Sequence, residues 1–185
     1  IIAPAYDEAA LQILKQKKNR IIILQKNKVA GNNMFKSILN GVIEQNKDKA
    51  LATADTLKTV TAAIPSAEQI NDLLFAEKCV KHLKSNTIVL AKSKQLVGMG
   101  CGQTSRIDAL KQAISKAKEF GFDLHGAVLV SDAFFPFSDC VEIAYAAGIA
   151  AILQPGGSLR DKDSIDRCNE FGLPMVFSGL RHFRH

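Results

Sequence analysis

Two hydrophobic periodicities alternate along this chain. Apolar residues three and four apart mark helices, and short apolar runs bounded by glycine, proline or polar clusters mark strands. Ile1 to Ala3 resembles the tail of a strand, and Asp7 to Gln16 carries a helical apolar stripe through Ala10, Leu11 and Leu14. A strand is predicted at Arg20 to Leu24. From Lys26 to Lys58 the pattern loosens: Gly31-Asn32-Asn33 predicts a turn, and Lys36 to Gln45 a strand pair or extended segment around Gly41. A short strand is expected at Val60 to Ala62. Ser66 and Gln69 then have the spacing of a capping box, opening a helix with Ile70, Leu73, Leu74, Ala76 and Val80 on one face.

The remainder is more regular. Thr87 to Lys92 and Gln95 to Gly100 predict a hairpin around Ser93-Lys94, and Ser105 caps a helix carrying Ile107, Leu110, Ala113, Ile114 and Ala117. Strands at Gly126 to Ser131, Ala150 to Gln154 and Pro174 to Ser178 alternate with helices at Asp139 to Ala147 and Asp161 to Phe171. Gly121, Gly148 and Gly172 stand where the helices should stop. The apolar strand cores lack in-out alternation, so both sheet faces should be covered. This predicts an α/β, three-layer fold: a mixed, mostly parallel sheet with helices on both faces.

Composition narrows the class. The 185 residues are enough for one good core plus an annex, and 47% hydrophobic with 23% charged residues is ordinary for a globular enzyme domain. No apolar run is long enough to span a bilayer, and Ile1-Ile2-Ala3-Pro4 has no signal-peptide character, so a cytoplasmic location is expected. The missing initial methionine and the opening on a strand end suggest a piece of a longer protein. Cys79, Cys101, Cys140 and Cys168 form no CxxC pair and are expected to be buried free thiols, without metal. A formal charge of +6 favours anionic partners, but 6% aromatic residues and an ordinary basic helix face at Lys15 to Arg20 argue against nucleic acid.

Four segments should gather beyond the carboxyl ends of strands, where such sheets bind ligands. Gly98-Met99-Gly100-Cys101-Gly102-Gln103-Thr104-Ser105-Arg106 runs from strand to helix. It suits either a tight structural turn or an anion site of bare N–H groups, with Arg106 adding a charged fork. In Ser131-Asp132-Ala133-Phe134-Phe135-Pro136-Phe137-Ser138-Asp139, the rings could line a slot for a flat heterocycle, with Asp132 or Asp139 accepting from it. Alternatively Phe135 and Phe137 plug the core and Asp139 caps a helix, Glu142 completing a capping box. Gln154-Pro155-Gly156-Gly157-Ser158 offers a second phosphate or carboxylate cradle. The basic tail Arg181-His182-Phe183-Arg184-His185 follows the final strand, where Phe183 calls for burial. No HxE with PCxxC, GxSxG or HExxH is present, which excludes zinc deamination and the standard hydrolase nucleophile.

Together these segments, with Ile1-Ile2-Ala3-Pro4, Glu8-Ala9-Ala10-Leu11 and Lys84-Ser85-Asn86, resemble the bifunctional purine-biosynthesis family that joins an AICAR transformylase to an IMP cyclohydrolase. The resemblance runs over essentially the whole chain. It implies formyl transfer from 10-formyltetrahydrofolate, a co-substrate, to the 5-amino group of AICAR ribonucleotide, in an intertwined homodimer with two cytidine-deaminase-like halves. It divides this chain into 1–64, the end of the first half plus a connector, and 65–185, the second cytidine-deaminase-like subdomain without a zinc site. By position, Asn86 resembles the family's active-site asparagine and Arg106, beside Gly102 and Gln103, its substrate arginine. Phe134, Pro136 and Asp139 resemble the folate-side loop, and Arg181 the tail arginine that reaches the nucleotide. The family's Lys-His-x-Asn-Pro-Cys-Gly motif is absent, and Lys81-His82 lacks its continuation and is expected to be surface chemistry. The resemblance therefore implies a chain unable to turn over alone. The other expectation is a non-catalytic nucleotide-binding or regulatory module that uses the glycine turns for phosphate.

Overall fold

In the computed structural model, residues 1–27 and 31–184 are described, and the chain divides into two compact units, Ile1–Lys47 and Asp48–His185. Residues 28–30 of the connecting region and His185 of the tail lie outside the described residues.

The first unit contains β1 (Ile2–Ala3), α1 (Glu8–Lys15), β2 (Ile23–Leu24), β3 (Asn33–Ile38) and β4 (Gly41–Asn46). Strands β1 and β2 pair in parallel, with Ile2 opposite Ile23, and the Tyr6 hydroxyl donates to Ile23 O at 3.0 Å. The strand pair expected between Lys36 and Gln45 is the antiparallel β3–β4 hairpin, with Ile38 opposite Gly41.

The second unit holds β5 (Lys58–Thr59), α2 (Ala67–Val80), β6 (Ile88–Lys92), β7 (Gln95–Gly100), α3 (Arg106–Glu119), β8 (Val128–Ser131), α4 (Asp139–Ala146), β9 (Ala151–Gln154), α5 (Asp161–Glu170) and β10 (Met175–Phe177). One six-stranded sheet runs β5-β10-β9-β8-β6-β7. Strands β8, β9 and β10 pair in parallel, and β6 pairs antiparallel to both β8 and β7, so β7 to β10 all point one way. The sheet is therefore mixed, with four of its six strands codirectional.

Burial explains why the strands do not alternate in polarity. Ile88, Leu90, Leu129, Ile152 and Met175 join residues of α3, α4 and α5 in one core. Their neighbours Val89, Ala91, Val128, Val130, Ala151, Leu153 and Val176 pack with Leu73, Ala76 and Val80 of α2 in another. Each of these strands feeds two apolar layers, which is the three-layer arrangement.

Local signals placed most elements. Ser66 accepts from Gln69 N while the Gln69 side chain accepts from Ser66 N, and Ser105 Oγ accepts from Asp108 N. Gly121, Gly148 and Gly172 follow their helices with φ of +73°, +88° and +62°. At the β6–β7 turn both Ser93 and Lys94 have positive φ, and their N–H groups donate to the Asp72 carboxylate at 2.8 and 2.6 Å.

One expectation changes. The strand expected at Val60 to Ala62 lies at Lys58–Thr59, because beyond Val60 the Thr61 hydroxyl replaces the backbone as acceptor for Met175 N, at 2.9 Å. The compact second unit begins at Asp48, and its first segments are tied to the rest of it: Ala52 N donates to Glu77, Ala62 N to Asn169, and β5 pairs with β10.

Candidate functional site

Because β7, β8, β9 and β10 are codirectional, the loops leaving their carboxyl ends share one edge of the sheet. Its centre is Arg106, the first residue of α3, 7% exposed. Its guanidinium donates to Asp132 Oδ1 at 2.5 Å, to Phe134 O at 3.2 Å and to Asn86 Oδ1 at 3.1 Å. Three of the five N–H donors of an arginine are thereby spent. Asp132 is fully buried, and its Oδ2 has no hydrogen-bond partner among the described residues. A buried pair of this kind gains little net stability from its Coulomb attraction, but losing one partner costs about 3–5 kcal/mol because a charge is stranded.

Asn86 sits on the loop entering β6. Its amide nitrogen donates to Gln103 O at 2.9 Å and Thr104 O at 3.2 Å, so Asn86 ties the loop before α3 to the Arg106 fork. The Gln103 side chain turns inward, donating to Cys101 O at 3.2 Å and to Gln112 Oε1 at 3.1 Å.

The aromatic loop after β8 divides its roles. Phe135 is wholly buried and its N–H donates to Gln154 Oε1 at 2.7 Å, whereas Phe137 is exposed, beneath the Arg160 guanidinium at 4.9 Å. Only Phe135 plugs the core, then. Phe134, Pro136 and Asp139 are half-buried. Ser138, not Asp139, occupies the N-cap of α4; Asp139 is the first helical residue, its carboxylate accepting from Cys140 N at 2.8 Å.

The tail is fastened. His182 N donates to Asp132 O at 3.0 Å, Ser85 N to Arg184 O at 2.8 Å, and Arg184 N to Ser85 Oγ at 2.9 Å. Arg181 stands 4.9 Å from the centroids of both Phe134 and Phe183. An exposed cation–ring contact contributes only about 0.5–1 kcal/mol, less than the ~1–2 kcal/mol needed to order one residue of backbone. Stronger contacts must hold the segment.

Those contacts centre on a residue whose role the sequence did not disclose. His182 is 2% exposed; its Nδ1 lies 2.6 Å from Asp48 Oδ2 and its Nε2 3.3 Å from Glu77 Oε1. Burial depresses its pKa, but the hydrogen bonds and charges of Glu77 and Asp48 outweigh burial and leave it raised above 6.5. The available signal was Glu77, a carboxylate on the buried side of α2 that needs a partner.

Neither glycine turn is an open anion cradle. The N–H groups of Cys101, Gly102 and Gln103 donate to Gln112 Oε1, Lys84 O and Asn86 O. Gly98 and Gly100 serve close packing instead: a Cβ would fall 2.5 Å from Ala113 O and 1.9 Å from Ala109 O, so their absence lets α3 lie against β7. In the second turn the Gly157 N–H already holds an anion, the Asp161 carboxylate at 2.7 Å. The cysteines divide too. Burial, with Asp139 contributing at Cys140, pushes the Cys140 and Cys168 thiols up to about 12, whereas Cys79 and Cys101 are only half-buried. His82, of the Lys81-His82 pair, is exposed.

The fold and the edge cluster define an α/β protein with a polar and aromatic wall where the carboxyl ends of its codirectional strands meet. Residues 1–116 match the family described as the AICARFT/IMPCHase bienzyme, and the chain belongs to that family. It is 59% identical over its whole length to the bifunctional purine biosynthesis protein PurH of Bacteroides thetaiotaomicron and 52% identical to that of Acetivibrio thermocellus. It spans 36% of the length of each of these relatives. Among solved structures, the apo dCMP deaminase of the cyanophage S-TIM5 aligns at 14% identity and a TM-score of 0.43, over 60% of this chain and 98% of that one.

Proposed function

We propose that the chain belongs to the transformylase region of its family and supplies one wall of the site that transfers a formyl group from 10-formyltetrahydrofolate to the 5-amino group of AICAR ribonucleotide. The observation that carries this reading is the meeting of Asn86, Arg106, Phe134 and Arg181 at one sheet edge, from segments far apart in sequence. Arg181, exposed and held against an aromatic ring, faces the nucleotide. Phe134, Pro136 and Asp139 border the folate. Arg106 aligns Asn86, whose amide donors, now on Gln103 O and Thr104 O, turn to the oxyanion of the tetrahedral intermediate.

In that intermediate the amine nitrogen of AICAR ribonucleotide has bonded the formyl carbon, which then releases the folate nitrogen. A proton must leave the amine and another reach the folate nitrogen. No residue at this edge is assigned that work; it falls to a Lys-His-x-Asn-Pro-Cys-Gly segment outside this chain, in a cytoplasmic homodimer that closes the site. On this reading the chain alone does not turn over.

Asn86→Ala in the full-length protein should lower turnover by about 10²–10³, far more than the loss of its hydrogen bonds to Gln103, Thr104 and Arg106 weakens folding; unchanged turnover removes Asn86 from the reaction. The competing phosphate-binding module would use the two glycine turns, whose amides at Cys101, Gly102, Gln103 and Gly157 already have partners. Titration with AICAR ribonucleotide and with unrelated nucleotides separates the two, since equal affinity for all phosphates favours the module.

A further inference from the structure

His182 lies beside Arg181 in the chain, yet their surroundings are opposite: one is sealed between two carboxylates, the other is exposed between two rings. Adjacent residues share one backbone, so fixing the place of one restricts the other. We propose that His182 is a positioning residue: clamped between Asp48 and Glu77, it anchors the carboxyl-terminal segment so that Arg181 is held between Phe134 and Phe183.

Three observations support the clamp. Glu77 is wholly buried, on the face of α2 that carries Leu73, Ala76 and Val80 into the core. Its other oxygen accepts from Ala52 N at 2.9 Å, so the same carboxylate fastens the segment leading into the unit and the segment leaving it. The His182 N–H donates to Asp132 O while the Asp132 carboxylate bonds Arg106, so the anchor joins the tail to the centre of the edge cluster. The consequence for ligand binding rests on the transformylase reading, which gives Arg181 to the nucleotide. The anchor itself does not depend on it.

The test is made on the full chain by NMR. Lying between two rings, the Arg181 δ and Nε protons should show ring-current displacement; His182→Ala should abolish it and His182→Gln, which keeps a donor, should restore part of it. Asp48→Asn is the milder variant, because Asp48 is partly exposed and its loss leaves the core intact; it should reduce the displacement. Amide exchange at Ser85 and Arg184 should accelerate about tenfold or more in His182→Ala, while Ala113 and Leu129 keep their protection. Unchanged displacement and tail protection in both His182→Ala and Asp48→Asn overturn the proposal, as does an equal loss of protection across β8 and α3, which would make His182 a general core residue. With AICAR ribonucleotide as probe, the dissociation constant of the full-length protein should rise about tenfold in His182→Ala. A full-length wild-type protein that does not bind AICAR ribonucleotide overturns the transformylase reading alone, since displacement and exchange still decide the anchor.

Discussion

Helix α1 presents Ala10, Leu11 and Leu14 along one side, and α3 presents Ala109, Leu110, Ala113 and Ala117. No residue of α1 is buried, whereas all four of the α3 set are. The contrast extends to the units that contain them. None of the described residues among 1–47 is buried, and Ile13, Ile21 and Phe35 are 62%, 73% and 68% exposed, while both hydrophobic clusters lie within Asp48–His185. Apolar spacing is a local property sufficient to select helix or strand. Burial needs a second surface of matching shape, which β7 offers α3 through two missing side chains, at Gly98 and Gly100.

The contrast can be broken from the second unit. Asp132→Ala strands the buried Arg106 guanidinium and should cost about 3–5 kcal/mol by urea denaturation; a loss below about 1 kcal/mol would mean the pair is not sealed from water. Gly100→Ala drives a methyl group into the α3 backbone and should cost about 1–3 kcal/mol or more, with β7 and α3 losing amide protection first. If the variant is as stable as wild type, the close contact of helix and strand is wrong.

A pH series tests the charged groups of the same unit. The folded pKa of His182 is raised, so its proton stabilises the protein fully below about 6.5, and that contribution is lost as pH rises through the folded value. The urea midpoint of wild type should therefore decline above pH 6.5, and the decline should flatten in His182→Gln. A midpoint rising over that interval contradicts the protonated bridge to Asp48 and Glu77. The smallest effect belongs to the first unit: Ile13→Ala should change stability by no more than about 0.5 kcal/mol, against about 2–5 kcal/mol for Leu110→Ala. Equal losses would erase the difference between the units.

Much of the second unit was legible in the chain because the forces that set it act over a few residues. The Ser66–Gln69 box, the Ser105 cap and the glycines after α3, α4 and α5 each satisfy or end a helix locally. The short strand near residue 60 was misplaced by a local competitor, the Thr61 hydroxyl, which a hydrophobicity pattern does not register. The glycine-rich turns invited an anion because exposed amides are common there. Whether those amides are free depends on Gln112, Lys84 and Asp161, whose approach is tertiary.

By itself the sequence determined the α/β class, the order of most elements, the convergence of four loops at one edge and, through its motifs, the family. The tertiary structure alone decided which partners those loops use. It closed Arg106 onto Asp132 and Asn86, turned two glycines from ligand cradle to helix seat, and sealed His182 between Asp48 and Glu77, residues 134 and 105 positions away. Hydrogen bonds over such separations leave no periodic trace in a sequence, because their geometry exists only once the sheet has brought the segments together.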